Sequence, residues 1–153
     1  MSERNNDRAG AAALQELTAL EIDYWYDVDF NWGRHASGFY TDGGLFAIGE
    51  SRMQGTDAIR DFYAWREGRG TRTARHVVTN FRLDAFDNET ATLRCILLLY
   101  AADGQPVLPS LPAILISDVI AECVRGPNGK FVFRSHVLSP VFMGGAAPTI
   151  KPS

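Results

Sequence analysis

The run Arg75-His76-Val77-Val78-Thr79-Asn80-Phe81-Arg82-Leu83 is where a titratable ring, an amide and arginines punctuate an apolar, strand-like pattern. A period of two places His76, Val78, Asn80 and Arg82 on one face and Val77, Thr79, Phe81 and Leu83 on the other. A face carrying His and Asn beside valine suits a concave, partly apolar cavity in which a few polar groups converge. His76 is therefore the candidate general base and Asn80 a candidate substrate contact. The competing reading of His76 is a histidine satisfied by an ordinary neighbour.

An imidazole abstracts protons best when a carboxylate fixes its tautomer and steadies the cation that forms. Candidate partners lie in the segment from Asp23 to Trp32, where Asp27 and Asp29 are mixed with large rings. Rings of that size belong inside, so at least one of these carboxylates faces inward. Either Asp27 or Asp29 can pair with His76, and the pair is expected to favour the protonated ring and bring its pKa near working pH. The competing reading is a solvated helix end. Tyr24, Tyr26 and Tyr40 are candidate hydrogen-bond donors to a substrate oxygen. In the last strand Phe131, Phe133 and Ser135 alternate with Val132, Arg134, His136 and Leu138, which makes Arg134 and His136 candidates for anchoring or polarising that oxygen.

The elements that must position these groups follow from the pattern of apolar residues. After a polar lead to about residue 10, residues 11–31 repeat Leu14, Leu17, Leu20 or Glu21, Tyr24 and Val28 near the helical period and predict a long helix. Residues 33–40 predict a short second helix and Leu45–Ile48 a short strand. A turn-rich link over 49–55 then leads to a third helix, N-capped by Thr56, with Ile59, Phe62, Tyr63 and Trp65 on its buried side and Gly68 and Gly70 at its end. From Thr71 the period becomes strand-like: 73–83, 90–101, 111–123 and 130–142, separated by turns at Asp87-Asn88, Asp103-Gly104 and Gly126-Pro127-Asn128-Gly129. Four strands joined in sequence predict an antiparallel meander. Helices first and strands later give an α+β layer arrangement, with helices on one face of a curved sheet. One domain is expected over 11–143, between a flexible N-terminus (1–10) and a loose C-terminal tail (144–153).

Composition narrows the partners. With 15 Lys and Arg against 18 Asp and Glu, the formal charge is -3, and no basic cluster offers a footprint for nucleic acid or an anionic membrane. Cys95 and Cys123 lack metal or redox spacing and read as reduced core residues. No apolar run reaches bilayer length, so a soluble, cytoplasmic chain is expected. There is no G-x-S-x-G, H-E-x-x-H or phosphate-binding glycine loop, and no two of His35, His76 and His136 have ligand spacing. Neither a metal nor another cofactor is expected.

The acidic end of the first helix, the segment Gly55-Thr56-Asp57-Ala58-Ile59-Arg60-Asp61-Phe62-Tyr63, the strand Arg75 to Asn80, and the final strand after Gly126-Pro127-Asn128-Gly129-Lys130-Phe131 resemble the SnoaL-like branch of the nuclear transport factor 2-like superfamily. The resemblance covers about residues 11–143. It implies a cone-shaped fold in which a strongly curved antiparallel sheet and about three N-terminal helices enclose a deep pocket. Members include dehydratases, a dehydrochlorinase, polyketide cyclases and the beta subunits of ring-hydroxylating dioxygenases. In the dehydratase and dehydrochlorinase members the base is a histidine matching His76, paired with an aspartate on the first helix. Where scytalone dehydratase has a second histidine, this chain has Arg94 or Cys95, which argues against scytalone itself. The resemblance thus implies a cofactor-independent lyase or isomerase acting on a cyclic or aromatic-like, largely apolar small molecule. A non-catalytic dioxygenase-type subunit and a passive hydrophobic-ligand-binding protein are its alternatives. Self-association as a homodimer or homotrimer is expected, because three helices cannot cover both faces of the sheet.

Overall fold

A computed structural model describes residues 2–144. The chain runs α1 (Ser2–Asn31), a 3-10 turn (Ala36–Phe39), β1 (Tyr40–Ile48), β2 (Ser51–Gln54), α2 (Thr56–Gly68), β3 (Arg72–Phe86), β4 (Thr90–Asp103), β5 (Leu115–Arg125) and β6 (Phe131–Met143). The α+β class holds, with two helices rather than three. The expected second helix contracts to the 3-10 turn, because α1 ends in a tight reversal that leaves only a few residues before β1. Residues 2–10, expected as a flexible lead, continue α1 toward the N-terminus. Beyond Gly144, the expected loose tail lies outside the described residues.

The strands form a six-stranded sheet in the order β2-β1-β6-β5-β4-β3. β3 to β6 make the expected antiparallel meander. The sheet is mixed rather than wholly antiparallel, since β1 joins β6 in parallel and carries β2 as a hairpin partner on its far side. The link expected over 49–55 thus contains a strand, and Gly55 rather than Thr56 is the N-cap of α2.

One apolar core joins α1, α2 and the inner face of the sheet, with Leu17, Tyr24, Phe46, Ile59, Leu97, Leu115 and Phe133 at its centre. On α1, Leu17, Glu21, Tyr24, Trp25, Val28 and Asp29 follow the 3.6-residue period, so one stripe of the helix faces the sheet. α1 stops through Trp32 and Gly33, both with positive φ, and the Gly33 amide donates to the Asp27 carbonyl at 3.1 Å. Gly33 is needed twice over. Its φ is +69°, and a Cβ there would stand 2.5 Å from the Tyr63 ring.

Two of the bulges in the sheet decide how candidate site residues of β3 and β6 face. Between the pairs Thr79–Ile96 and Arg82–Arg94, Asn80 and Phe81 stand opposite Cys95 alone, and Asn80 has φ +56°. The extra residue flips the phase of β3. His76 and Val78 face the core side before it, and Phe81 and Leu83 after it, while Asn80 and Arg82 are exposed. In β6 the pairs Cys123–Phe133 and Glu122–Ser135 leave Arg134 unpaired, so Phe133 and His136 share the inner face and Arg134 points outward.

Candidate active site

The inner face of the sheet and the stripe of α1 enclose a cavity of about 70 Å³. Its closed end is apolar and fully buried, formed by Phe46, Leu97, Leu99, Leu115 and Leu138. Trp25, Asp29, Tyr63 and His76 line its wall, and the half-buried Trp32, Arg66 and Arg72 mark its outer side. Trp32 holds a left-handed backbone that bulky residues adopt rarely, and in this fold such strain sits at the cavity.

The polar centre of the wall is His76 with Asp29. Asp29 Oδ1 lies 2.6 Å from His76 Nδ1, and Asp29 Oδ2 accepts the His76 backbone N–H at 2.7 Å. Both carboxylate oxygens are thus spent on one residue, which fixes the ring's position and its tautomer. With Nδ1 engaged, Nε2 is the nitrogen left for the cavity. The imidazole also stacks on Trp25, centroids 4.2 Å apart and planes 14° from parallel. The expected upward pull of the carboxylate is outweighed: burial, assisted by the Arg72 charge, holds the His76 pKa below its ordinary value despite Asp29. The ring is therefore neutral, with a lone pair available, at neutral pH.

Asp27 does not join it. Two residues on a helix are separated by about 200° of rotation, so only one of the pair can face β3. Asp27 instead accepts from the Asn31 side chain at 2.8 Å and the His35 backbone at 3.0 Å, closing the end of α1.

A second buried cluster lies behind the wall. Glu21 and His136 are both fully buried, with Glu21 Oε1 at 2.7 Å from His136 Nε2. Among the described residues neither atom has another partner, so this imperfectly aligned contact is their whole compensation. Glu21 Oε2 accepts from Trp25 Nε1 at 2.9 Å. The Tyr40 hydroxyl, 3.0 Å from His136 Nδ1, donates to Tyr24 at 3.0 Å, and Tyr24 meets Tyr63 at 2.5 Å. Each phenol has one proton. Since Tyr40 spends its proton on Tyr24, His136 Nδ1 must donate to Tyr40, and Tyr24 can then donate to Tyr63. The proton of Tyr63 is left over for the cavity that Tyr63 lines. Burial pushes all three phenols well above their ordinary value, so they stay hydroxyls.

A model of the SnoaL-like domain matches residues 11–134. The chain belongs to the SnoaL-like family. No curated protein sequence matches it. Among solved structures, this SnoaL-like chain is similar to a protein of Novosphingobium aromaticivorans described as a candidate scytalone dehydratase (TM-score 0.78, 17% identity, 99% of this chain and 97% of that one). It is also similar to ActVI-ORFA of Streptomyces coelicolor (TM-score 0.71, 15% identity, 83% and 96%). A third structure, from Catenulispora acidiphila, was solved in complex with S-DNPA (TM-score 0.72, 18% identity, 85% and 94%). At these identities the likeness shows the shared fold.

Within the SnoaL-like domain, the structure brings His76 and Asp29 together and sets several other expected site residues apart. Tyr26 is 63% exposed and packs on Phe30. Asn80 is turned out by the β3 bulge, its side chain accepting from Thr79 at 3.1 Å. Arg134 is turned out by the β6 bulge. Tyr24 and His136 are buried behind the cavity wall rather than on it, in the Glu21 cluster. Of Arg94 and Cys95, one or the other of which the resemblance set against the second histidine of scytalone dehydratase, Arg94 is exposed and pairs with Asp84, and Cys95 is buried in the core. Sequence reasoning missed Tyr63 as a wall residue, although its place on the buried stripe of α2 was legible. It also missed Glu21 as a buried acid, whose signal is a carboxylate at a core position of the α1 stripe.

Proposed function

We propose that this SnoaL-like domain is a cofactor-independent lyase or isomerase in which His76 is the general base. The observation that carries the reading is the 2.6 Å contact of His76 Nδ1 with Asp29 at the wall of an apolar cavity. His76 Nε2 removes a proton from a carbon made acidic by a neighbouring carbonyl or ring, and Asp29 steadies the imidazolium. Tyr63 donates its spare hydrogen bond to the oxygen on which charge develops, or to a departing hydroxyl. An isomerisation returns the proton to another carbon, and a dehydration releases it with hydroxide as water. A solved neighbour holding S-DNPA supports small-molecule occupancy in a fold of this kind. The cavity of about 70 Å³ is smaller than the ~150 Å³ that admits benzene, so a ring enters when side chains on its outer side swing away.

The test is deuterium exchange at the acidic methylene of 2-indanone, a compact cyclic carbon acid, followed by NMR in D2O. Catalysed exchange by the wild-type chain that disappears in His76→Asn supports the reading. Equal rates in the two proteins sink it in favour of a passive binding protein or subunit. The rate is expected to rise with pH through a pKa below 6.5 and then stay level through neutrality, because the base must be unprotonated and burial lowers its pKa. Arg72→Met removes one of the charges opposing protonation, so the acid limb should move upward. A limb that stays in place would show that Arg72 does not act on His76.

The self-association expected from the sheet is part of this reading. Val77, Leu98 and Ile116 stand in register across β3, β4 and β5 on the outer face, and Val77 is 45% exposed. Sedimentation at micromolar concentration should give a dimer or trimer, and Val77→Glu with Ile116→Glu should shift it to monomer. A wild-type monomer would remove this part of the proposal.

A further inference from the structure

Arg66, in the last turn of α2, and Arg72, the first residue of β3, both line the cavity. The turn through Gly68 and Gly70 folds the two onto the same side. In each, Nε is buried and has no hydrogen-bond partner, and neither residue forms an ion pair among the described residues. A buried N–H of a charged group without an acceptor is costly, and two such groups lining one cavity add their mutual repulsion. Burial pulls the Arg72 guanidinium down to about 10, and the Arg66 charge adds to that pull. Asp103 and Asp29 oppose it only through space.

We propose that Arg66 and Arg72 form an anion subsite for a carboxylate carried by the substrate ring, holding it so that the acidic carbon faces His76. The inference rests on the reading of this cavity as the substrate site. A planar carboxylate matches the guanidinium fork and supplies acceptors for the two orphaned Nε atoms. A monoanion suits the site better than a phosphate dianion, since Asp29, Asp103 and the carbonyl end of α2 already contribute negative potential there. The same arrangement explains how a ring enters a small cavity. Long side chains on its outer side swing out to admit the substrate and close on its charged end. A neutral ring gains nothing from them and leaves both buried Nε atoms unmet.

Binding of indane-2-carboxylate is compared with that of its neutral near-isostere, indane-2-carboxamide, by calorimetric titration at low salt. The acid is expected to bind at least tenfold tighter, the preference falling to near unity in Arg66→Met and Arg72→Met and weakening with added salt. His76→Asn should keep the preference. Equal affinity for acid and amide overturns the proposal, as does absence of acid binding at millimolar concentration. A preference that survives both arginine variants, or that vanishes only with His76, places the anion elsewhere and overturns it too. Circular dichroism and the melting temperature of each variant confirm that the fold is retained. Because 2-indanone exchange is read separately and needs no carboxylate, a chain that exchanges 2-indanone but does not prefer the acid fails this inference alone. A chain that prefers the acid but does not exchange fails only the catalytic reading.

Discussion

His76→Asn is expected to lower 2-indanone exchange by about 10²- to 10⁴-fold, the usual share of a positioned general base. Asparagine keeps most of the volume beside Trp25 but offers no titratable nitrogen, so the loss reports chemistry rather than packing. Asp29→Asn should approach the same loss by a different route. One carboxylate oxygen becomes an amide NH2, so either the His76 backbone N–H or its Nδ1–H, now at 2.7 and 2.6 Å from acceptors, meets a donor instead. The ring loses its fixed tautomer and the charge that steadies its cation. Asp29 is also what raises the His76 pKa against burial, so its loss should push the acid limb of the pH profile still lower. Asp27→Asn is the control, since Asp27 holds the end of α1 and does not touch His76. An Asp27 variant as inactive as the Asp29 variant would mean that the base is oriented by the helix end and not by the pair.

The α+β class and the meander were legible because they depend on periodicity and on turn residues, which are local, whereas the approach of α1 to β3 was implied by the family resemblance. His76 was legible as well, since it lies before the β3 bulge, where simple alternation still holds. Asn80 and Arg134 were misplaced for one reason. A bulge adds a residue to one strand only, and every assignment beyond it changes face. The positive φ at Asn80 is compatible with asparagine but not announced by it. The choice between Asp27 and Asp29 needed the phase of α1 relative to β3, which no single segment carries. Arg66 and Arg72 escaped notice because their significance is a missing partner, and an absence of partners is a property of the assembled fold.

Glu21→Ala is expected to cost about 3–5 kcal/mol, the range for breaking a buried pair by removing one member. It strands His136 Nε2, which has no other partner among the described residues, and Trp25 Nε1, which donates to Glu21. For a chain of this size, about 2–4 °C per kcal/mol puts the fall in melting temperature at about 6–20 °C. Glu21→Gln should lose much less, because its amide can accept from Trp25 and donate to His136 while filling the same space. Denaturant unfolding of both variants separates burial from pairing. If glutamine and alanine cost the same, the charge of Glu21 matters more than its hydrogen bonds. A loss below about 1 kcal/mol in the alanine variant would show that water enters and satisfies the cluster.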